Sequence, residues 1–241
     1  MKELLNVINT TLQDKNISDT MRGMLVALKE EVELNISSKE NNEYYLKKAL
    51  NMAKSIKNVQ LGCGKHIIDG YINIDILDTA DIKWDVRKSL PFESNSIDKI
   101  FSEHFFEHID YPVSANNLLD ESYRVLKKNG EFIIGIPDCS LPISDIINNE
   151  TKNMEIAKEK WYQNRFDVIE SMNTNIDYLN YVMRDQLYHT KYHPHYWGYT
   201  KENLIPLLEK HGFNDIKEWN VDLDIINAKR KWGTLYLIAK K

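Results

Sequence analysis

Apolar residues recur along this chain at two different periods, and the period changes near residue 58. Before that point Leu4, Leu5, Ile8 and Leu12 fall at helical spacing, and Met21, Met24, Leu25, Leu28 and Val32 do so again. Ser18 or Asp19 can cap the second of these helices, and a third is expected over about 42–57. From Val59 onward short apolar runs alternate with turns: VQL before Gly62, YINIDI after Gly70, then IKWDV, DKIFS and EFIIGIP. A helical stretch around 115–126 separates the last two. Strand and helix in alternation predict an α/β fold, a mostly parallel sheet with helices on both faces.

After Asp138 the alternation stops. Residues 140–198 are polar, rich in aromatics and mostly helical in pattern. A break of roughly sixty residues is too long for an idle loop in a compact domain. Thr200 then caps a helix that Gly212 ends, and NDIKEWNVD and GTLYLIAKK read as closing strands. Three parts follow: a helical cap over 1–57, a sheet domain over 58–139 and 199–241, and a helical insertion over 140–198 placed as a lid. The cap carries no recognisable chemistry and is a candidate surface for homodimer formation.

Composition narrows the function classes. A net charge of −5 and a pI near 5.8 give no footprint for nucleic acid. No apolar run approaches the ~20 residues of a membrane helix, so no membrane insertion is expected. The start, MKELLNVINTTLQDKN, has no secretory pattern, and Cys63 and Cys139 have no framework spacing. A reducing, cytoplasmic setting is expected.

The chemistry is concentrated in one local pattern. A strand runs into Leu61-Gly62-Cys63-Gly64, and the next strand ends in Asp75. Glycines let the backbone bend sharply at a strand end and admit a ligand against the main chain. A carboxylate at the neighbouring strand end can accept hydrogen bonds from both hydroxyls of a ribose. A dinucleotide fingerprint would need a third glycine where Ile67 stands. Residues 65–70 are also too few for a crossover helix, because parallel strands need a connection of about a dozen residues. A ribose without a pyrophosphate fits better, and S-adenosylmethionine (SAM) is such a ligand.

The segments VQLGCGKHIIDGYINIDI, WDVRKSLPFESNSIDKIFSEHFFEHI, SYRVLKKNGEFIIGIPD and HGFNDIKEW resemble, in order and spacing, the successive motifs of class I, Rossmann-like SAM-dependent methyltransferases. They are most similar to a subgroup whose first loop reads LGCG and which is often associated with glycan or secondary-metabolite assembly. The resemblance implies that Gly62, Cys63 and Gly64 meet the methionine and ribose and that Asp75, with Ile76 beside it, takes the ribose diol. It further implies that Asp85 and Val86 hold the adenine, and that Ser102 and Glu103 lie near the methionine end. The chain departs from the family in its shortened first crossover. The N-terminal helix is therefore expected to cover the sheet face that the missing helix would leave open.

Methyl transfer to a hydroxyl needs a proton acceptor. His104 follows the fourth strand closely and is the first candidate, with His193 and His195 next; His108, Glu103 and Glu107 are nearby carboxylates and imidazole. His189 and His193 could share a helix face as metal ligands, but Pro194 breaks a helix there and no acid lies close in sequence. Transfer from a sulfonium requires no metal, and none is expected. Trp161, Tyr162, Tyr178, Tyr181, Arg165, Arg184 and Lys191 in the insertion suit a sugar or a phosphorylated small molecule. The expected activity is O-methylation of a small saccharide, nucleotide-linked sugar or phosphorylated metabolite. The rival readings are a methyltransferase acting on protein or nucleic acid, and a non-catalytic SAM-binding interaction module.

Overall fold

The computed structural model describes residues 1–184 and 194–241, with the side chains of residues 30, 34, 35 and 37–41 left aside. Two helices open the chain, α1 (Lys2–Gln13) and α2 (Asp19–Met52). Ser18 is the cap of α2: its hydroxyl accepts the Met21 N–H at 3.2 Å. The second and third expected helices are one 34-residue helix. The polar stretch ELNISSKENN between them holds neither Gly nor Pro, so nothing in it stops a helix once formed.

The sheet strands are β1 (Asn58–Leu61), β2 (Tyr71–Asp75), β3 (Ile82–Lys83), β4 (Ile97–Glu103), β5 (Leu126–Pro137), β6 (Asn214–Glu218) and β7 (Thr234–Lys240), in the order β3-β2-β1-β4-β5-β7-β6. The first five are parallel, and β7 runs antiparallel between β5 and β6. The IKWDV run is a strand for two residues only. Trp84 N–H still reaches the Asp75 carbonyl at 2.8 Å, but Asp85 already turns to receive the Arg87 N–H at 3.1 Å. Helix α3 (Val113–Val125) links β4 to β5, and α8 (Lys201–Lys210) carries a capping box from Thr200 and Asn203.

Pairing register sorts side chains onto two faces. Val59, Leu61, Ile72, Ile74, Ile100, Phe132, Ile134 and Leu237 share one buried cluster with Leu118 and Leu119 of α3 and Leu204 and Leu208 of α8. Ala49 and Ala53 of α2 join the same cluster. Tyr71, Phe101, Ile133, Tyr236 and Ile238 form the other face. The step from β1 to β2 runs along the sheet opposite to the step from β4 to β5. Right-handed crossovers would therefore put a β1–β2 helix on the face away from α3.

Helix α2 does not take that place, which corrects the expectation. The face is closed by Ile68 from the short connection and by Trp219, Val221, Ile225 and Ile226 from the segment after β6. What holds the short connection is Asn73 of β2, 2% exposed. Its carbonyl accepts the Ile68 N–H at 3.0 Å, and its amide donates to the Ile68 carbonyl at 3.2 Å and to the Asp81 carboxylate at 2.8 Å. One buried carboxamide does the pinning that a helix would do by packing.

Helices α4 (Ser140–Asn148), α5 (Lys152–Lys160), α6 (Phe166–Ser171) and α7 (Asn175–Arg184) pack around a core of their own, made of Cys139, Met154, Ala157, Tyr162, Val168, Met172, Tyr178 and Val182. Tyr162 and Tyr178 are spent on that core, and Trp161 and Tyr181 pack against it. These four aromatics therefore stabilise the insertion rather than present a platform.

Loss of residues 1–57 removes Ala49, Ala53 and the side chains packed around them, and the remainder is expected not to fold. Removal of residues 1–14 is expected to leave a cooperative transition, since α1 buries Ile8 alone. Ala49→Asp places an unpaired charge at a fully buried position and should cost about 3 kcal/mol or more, read as a lower denaturant midpoint.

Candidate functional site

The glycine bend and the strand-end acid are joined directly. Past Leu61 the Gly62 backbone enters the left-handed region at φ +69°, and the N–H groups of Gly62 and Cys63 reach the Ile74 carbonyl at 2.9 and 3.2 Å. Gly64 then donates its N–H to Asp75 Oδ2 at 2.8 Å, while Asp75 Oδ1 accepts from Leu77 N–H at 3.1 Å. A Cβ on Gly62 would lie 2.0 Å from the Phe105 ring. Glycine is needed there because the ring after β4 presses on the bend.

These strand ends border a cavity of about 310 Å³, at the low end of the range for small-ligand sites. Gly62, Ile74, Asp75 and Ile76 form one side, and Trp84, Asp85, Val86 and Arg87 another. Phe105, His108, Ile109 and Asp110 follow from β4, Ala27 and Glu31 from α2, and Tyr196 from the segment after the insertion. Asp85 is buried and held in a fork by Arg87, with Nε to Oδ1 and Nη2 to Oδ2 both at 2.9 Å. Burial pushes the Asp85 carboxyl up, but the hydrogen bonds and charge of Arg87 outweigh it and hold the group below the usual carboxylate range. The same guanidinium reaches both oxygens of Glu31 at 3.1 Å. A carboxylate–guanidinium–carboxylate chain thus ties α2 to the cavity floor.

Of the residues expected to hold a cofactor, Gly62, Asp75, Ile76, Asp85 and Val86 line the cavity. Gly64 stands behind Asp75 as its hydrogen-bond donor. Cys63, Ser102 and Glu103 are not in the wall. Burial, then the charges of Asp75 and Asp81, push the Cys63 thiol up to about 12, which makes it inert. Ser102 lies 2% exposed on the sheet. Glu103 is taken by the Tyr236 hydroxyl at 2.5 Å and the Asn227 N–H at 3.1 Å.

His104 is also turned away from the cavity. Its backbone is left-handed at φ +49°, and its Nε2 lies 2.7 Å from the Thr234 hydroxyl. Burial holds its imidazole well below the usual histidine range, so it is neutral. His108, read from sequence only as a secondary candidate, is the imidazole in the cavity wall. His195 is buried, with Nδ1 2.7 Å from the Val182 carbonyl. His193, His189 and Lys191 lie outside the described residues. Arg165 and Arg184 are not among the lining residues. Sequence reasoning missed Ala27 and Glu31, whose four-residue spacing on one helix face was the only trace they left.

Strand order, the antiparallel β7 and a cavity at the switch point between β1 and β4 agree with a further finding: residues 59–134 match a family model described as a methyltransferase domain. Residues 59–134 form a methyltransferase domain, and the sheet around them has the class I, Rossmann-like SAM-dependent methyltransferase fold. Two solved structures similar to this methyltransferase are a SAM-dependent methyltransferase from Methanosarcina mazei, at 15% identity over 76% of this chain and 91% of that one with a TM-score of 0.47, and one from Archaeoglobus fulgidus, at 17% identity over 86% and 94% with a TM-score of 0.44. No curated protein matches the sequence.

The residues present fit SAM. Asp75 keeps acceptor capacity toward a ribose diol after its two backbone hydrogen bonds, because a carboxylate offers about four lone-pair sites. Ile76 and Val86 are apolar residues of the lining that would meet an adenine, and Asp85 would keep lone pairs for it beside Arg87. Asp75→Ala should weaken SAM binding by about 2 kcal/mol or more in calorimetry, since it strands a desolvated diol. Gly62→Ala should weaken it as well, by displacing Phe105. Ser102→Ala and Cys63→Ala should leave affinity within roughly 0.5 kcal/mol.

Proposed function

We propose that this methyltransferase O-methylates a small, uncharged acceptor, a saccharide or the sugar of a carrier-linked saccharide, held where the cavity opens beside the segment returning from the insertion. The observation that carries this reading is the wall formed by His108 and Tyr196. Tyr196 is 51% exposed while lining the cavity, and the neighbouring Trp197 stacks on Tyr111 with ring centroids 4.5 Å apart. Exposed aromatic faces at a cavity mouth suit the apolar face of a sugar ring. The charges favour an uncharged acceptor: Glu31, Asp75, Asp85 and Asp110 line the cavity, and Arg87, the one Lys or Arg of that wall among the described residues, is already shared by two carboxylates. A phosphorylated metabolite would meet a field of its own sign. The similarity to the LGCG subgroup supports the same class.

When bound, SAM supplies a methyl group on a sulfonium, an activated electrophile with a good leaving group. The chain has to align a hydroxyl, exclude water and take a proton. Ile109, Tyr196 and Phe105 close the wall against water. His108 lines the acceptor side with its Nδ1 at the Pro194 carbonyl and its Nε2 toward Glu107, so it aligns the hydroxyl by shaping the wall, while His104 and His195 stand behind it around Glu107.

His108→Ala should lower kcat by about 100-fold or more while SAM affinity changes less than about threefold. Incubation with labelled SAM and pools of neutral saccharides should give labelled ethers and S-adenosylhomocysteine. Labelling of bulk protein or RNA with none of sugars would overturn the acceptor reading, and tight SAM binding with no transfer to any pool would overturn the enzymatic one.

A further inference from the structure

Among the described residues, Glu107 is an acidic group that the fold leaves without a hydrogen-bond partner. It is 2% exposed, and neither carboxylate oxygen has a hydrogen-bond partner among the described residues. An unpaired buried carboxylate costs several kcal/mol in general. Three imidazole nitrogens surround its Oε1: Nδ1 of His104 at 3.8 Å, Nε2 of His108 at 3.9 Å and Nε2 of His195 at 3.9 Å. All three distances are too long for hydrogen bonds.

The other nitrogen of each ring shows what these three carry. His108 Nδ1 faces the Pro194 carbonyl at 3.3 Å, and His195 Nδ1 faces the Val182 carbonyl at 2.7 Å. A carbonyl only accepts, so in both rings Nδ1 bears the hydrogen and Nε2 a lone pair. His104 Nε2 faces the Thr234 hydroxyl, and that hydroxyl donates its own hydrogen to the Arg230 carbonyl. His104 therefore donates from Nε2 and turns a lone pair on Nδ1 toward Glu107. Three lone pairs converge on one carboxyl oxygen, and a proton on that oxygen could be shared with only one of them at a time. A cation satisfies them together. The ligand atoms of Glu107, His108 and His195 all lie within 4.8 Å of one another. Two ligands held tetrahedrally at about 2.0–2.1 Å from one ion are roughly 3.4 Å apart, so a movement of about half an ångström closes the Glu107–imidazole distances onto an ion.

We propose that Glu107, His108 and His195, with His104 beside them, form an enclosed binding site for a zinc-class divalent cation. Mixed imidazole and carboxylate donors suit zinc and its neighbours, whereas calcium and magnesium take oxygen ligands. Outward N–H groups held by carbonyls are the usual support for metal-bound histidine. Position gives the site its role. Glu107 and His108 follow β4, and His195 lies on the segment returning from the insertion, where the Tyr196 N–H also bonds the Glu107 carbonyl at 2.8 Å. The ion would fasten the insertion to the sheet domain beside the cavity wall. No part of this depends on which acceptor is methylated.

The test uses the full chain and zinc itself. Protein purified, stripped with a chelator and reloaded should hold about one zinc per chain by elemental analysis. Glu107→Gln and His195→Ala should each weaken zinc binding at least about tenfold, and His211→Ala, a histidine outside the cluster, should not. Cobalt in place of zinc should give a visible absorption band that Glu107→Gln abolishes. Glu107→Gln keeps the side-chain shape and guards against simple misfolding. In chelator-stripped protein it should melt above the parent, because it removes a buried unpaired charge; in zinc it should melt below. Zinc content and melting response equal in parent and Glu107→Gln would overturn the proposal. So would a parent that binds no zinc.

Discussion

Everything at the site follows from how little chain joins β1 to β2. Residues 65–70 leave no room for a helix, so the bend must be held by hydrogen bonds instead. Gly64 gives its N–H to Asp75, and Asn73 clamps Ile68 and Asp81. Asp75 is thereby placed at the crevice by the same contact that fixes the loop. The arrangement has a structural cost, since one face of the parallel sheet loses its usual helix. That face is closed by a single isoleucine and an irregular segment carrying Trp219 and Ile226. A short connection and a covering loop are thus two consequences of one constraint.

Helix α2 does something else. Its C-terminal half contributes Ala49 and Ala53 to the core, and its middle reaches over the cavity through Glu31 and Ala27. The ion chain from Asp85 through Arg87 to Glu31 is uneven. Asp85 is 5% exposed and Glu31 43%, so the inner pair is strong and the outer pair is screened. The floor of the cavity is thus tied to α2 through a guanidinium that is held more firmly on its inner side than on its outer one.

Legibility in the sequence followed locality. The strands were readable because alternation and apolar runs are local, and the Gly62–Gly64 bend with Asp75 was readable because its parts are neighbours in both chain and space. The single helix of α2 was misjudged because a polar stretch without Gly or Pro was read as a break. Trp161, Tyr162, Tyr178 and Tyr181 were read as suited to a binding platform, but a pattern of Tyr and Trp does not tell an inner face from an outer one. Tyr162 and Tyr178 face inward. The histidines show the limit most clearly. No acid lies near His193 in sequence, and the carboxylate that stands beside His195 in space, Glu107, is brought there only by the return of the chain across the end of β4.

His108 belongs to two environments at once, the cavity wall and the cluster around Glu107. A side chain with that double membership transmits whatever fixes the cluster to whatever enters the cavity. Its ring is held from behind by the Pro194 carbonyl, its neighbour His195 packs edge-on at a centroid distance of 4.8 Å, and the adjoining Tyr196 completes the wall. Rotation of this imidazole would therefore break the Pro194 contact and disturb His195 together. Near-attack alignment depends on tenths of an ångström, so a wall that moves only as a unit serves the transfer better than one built from independent side chains. The insertion then acts on the reaction through rigidity, by returning the chain to a fixed point beside β4 and setting Tyr196 in the cavity wall, and not through the aromatics packed among its helices.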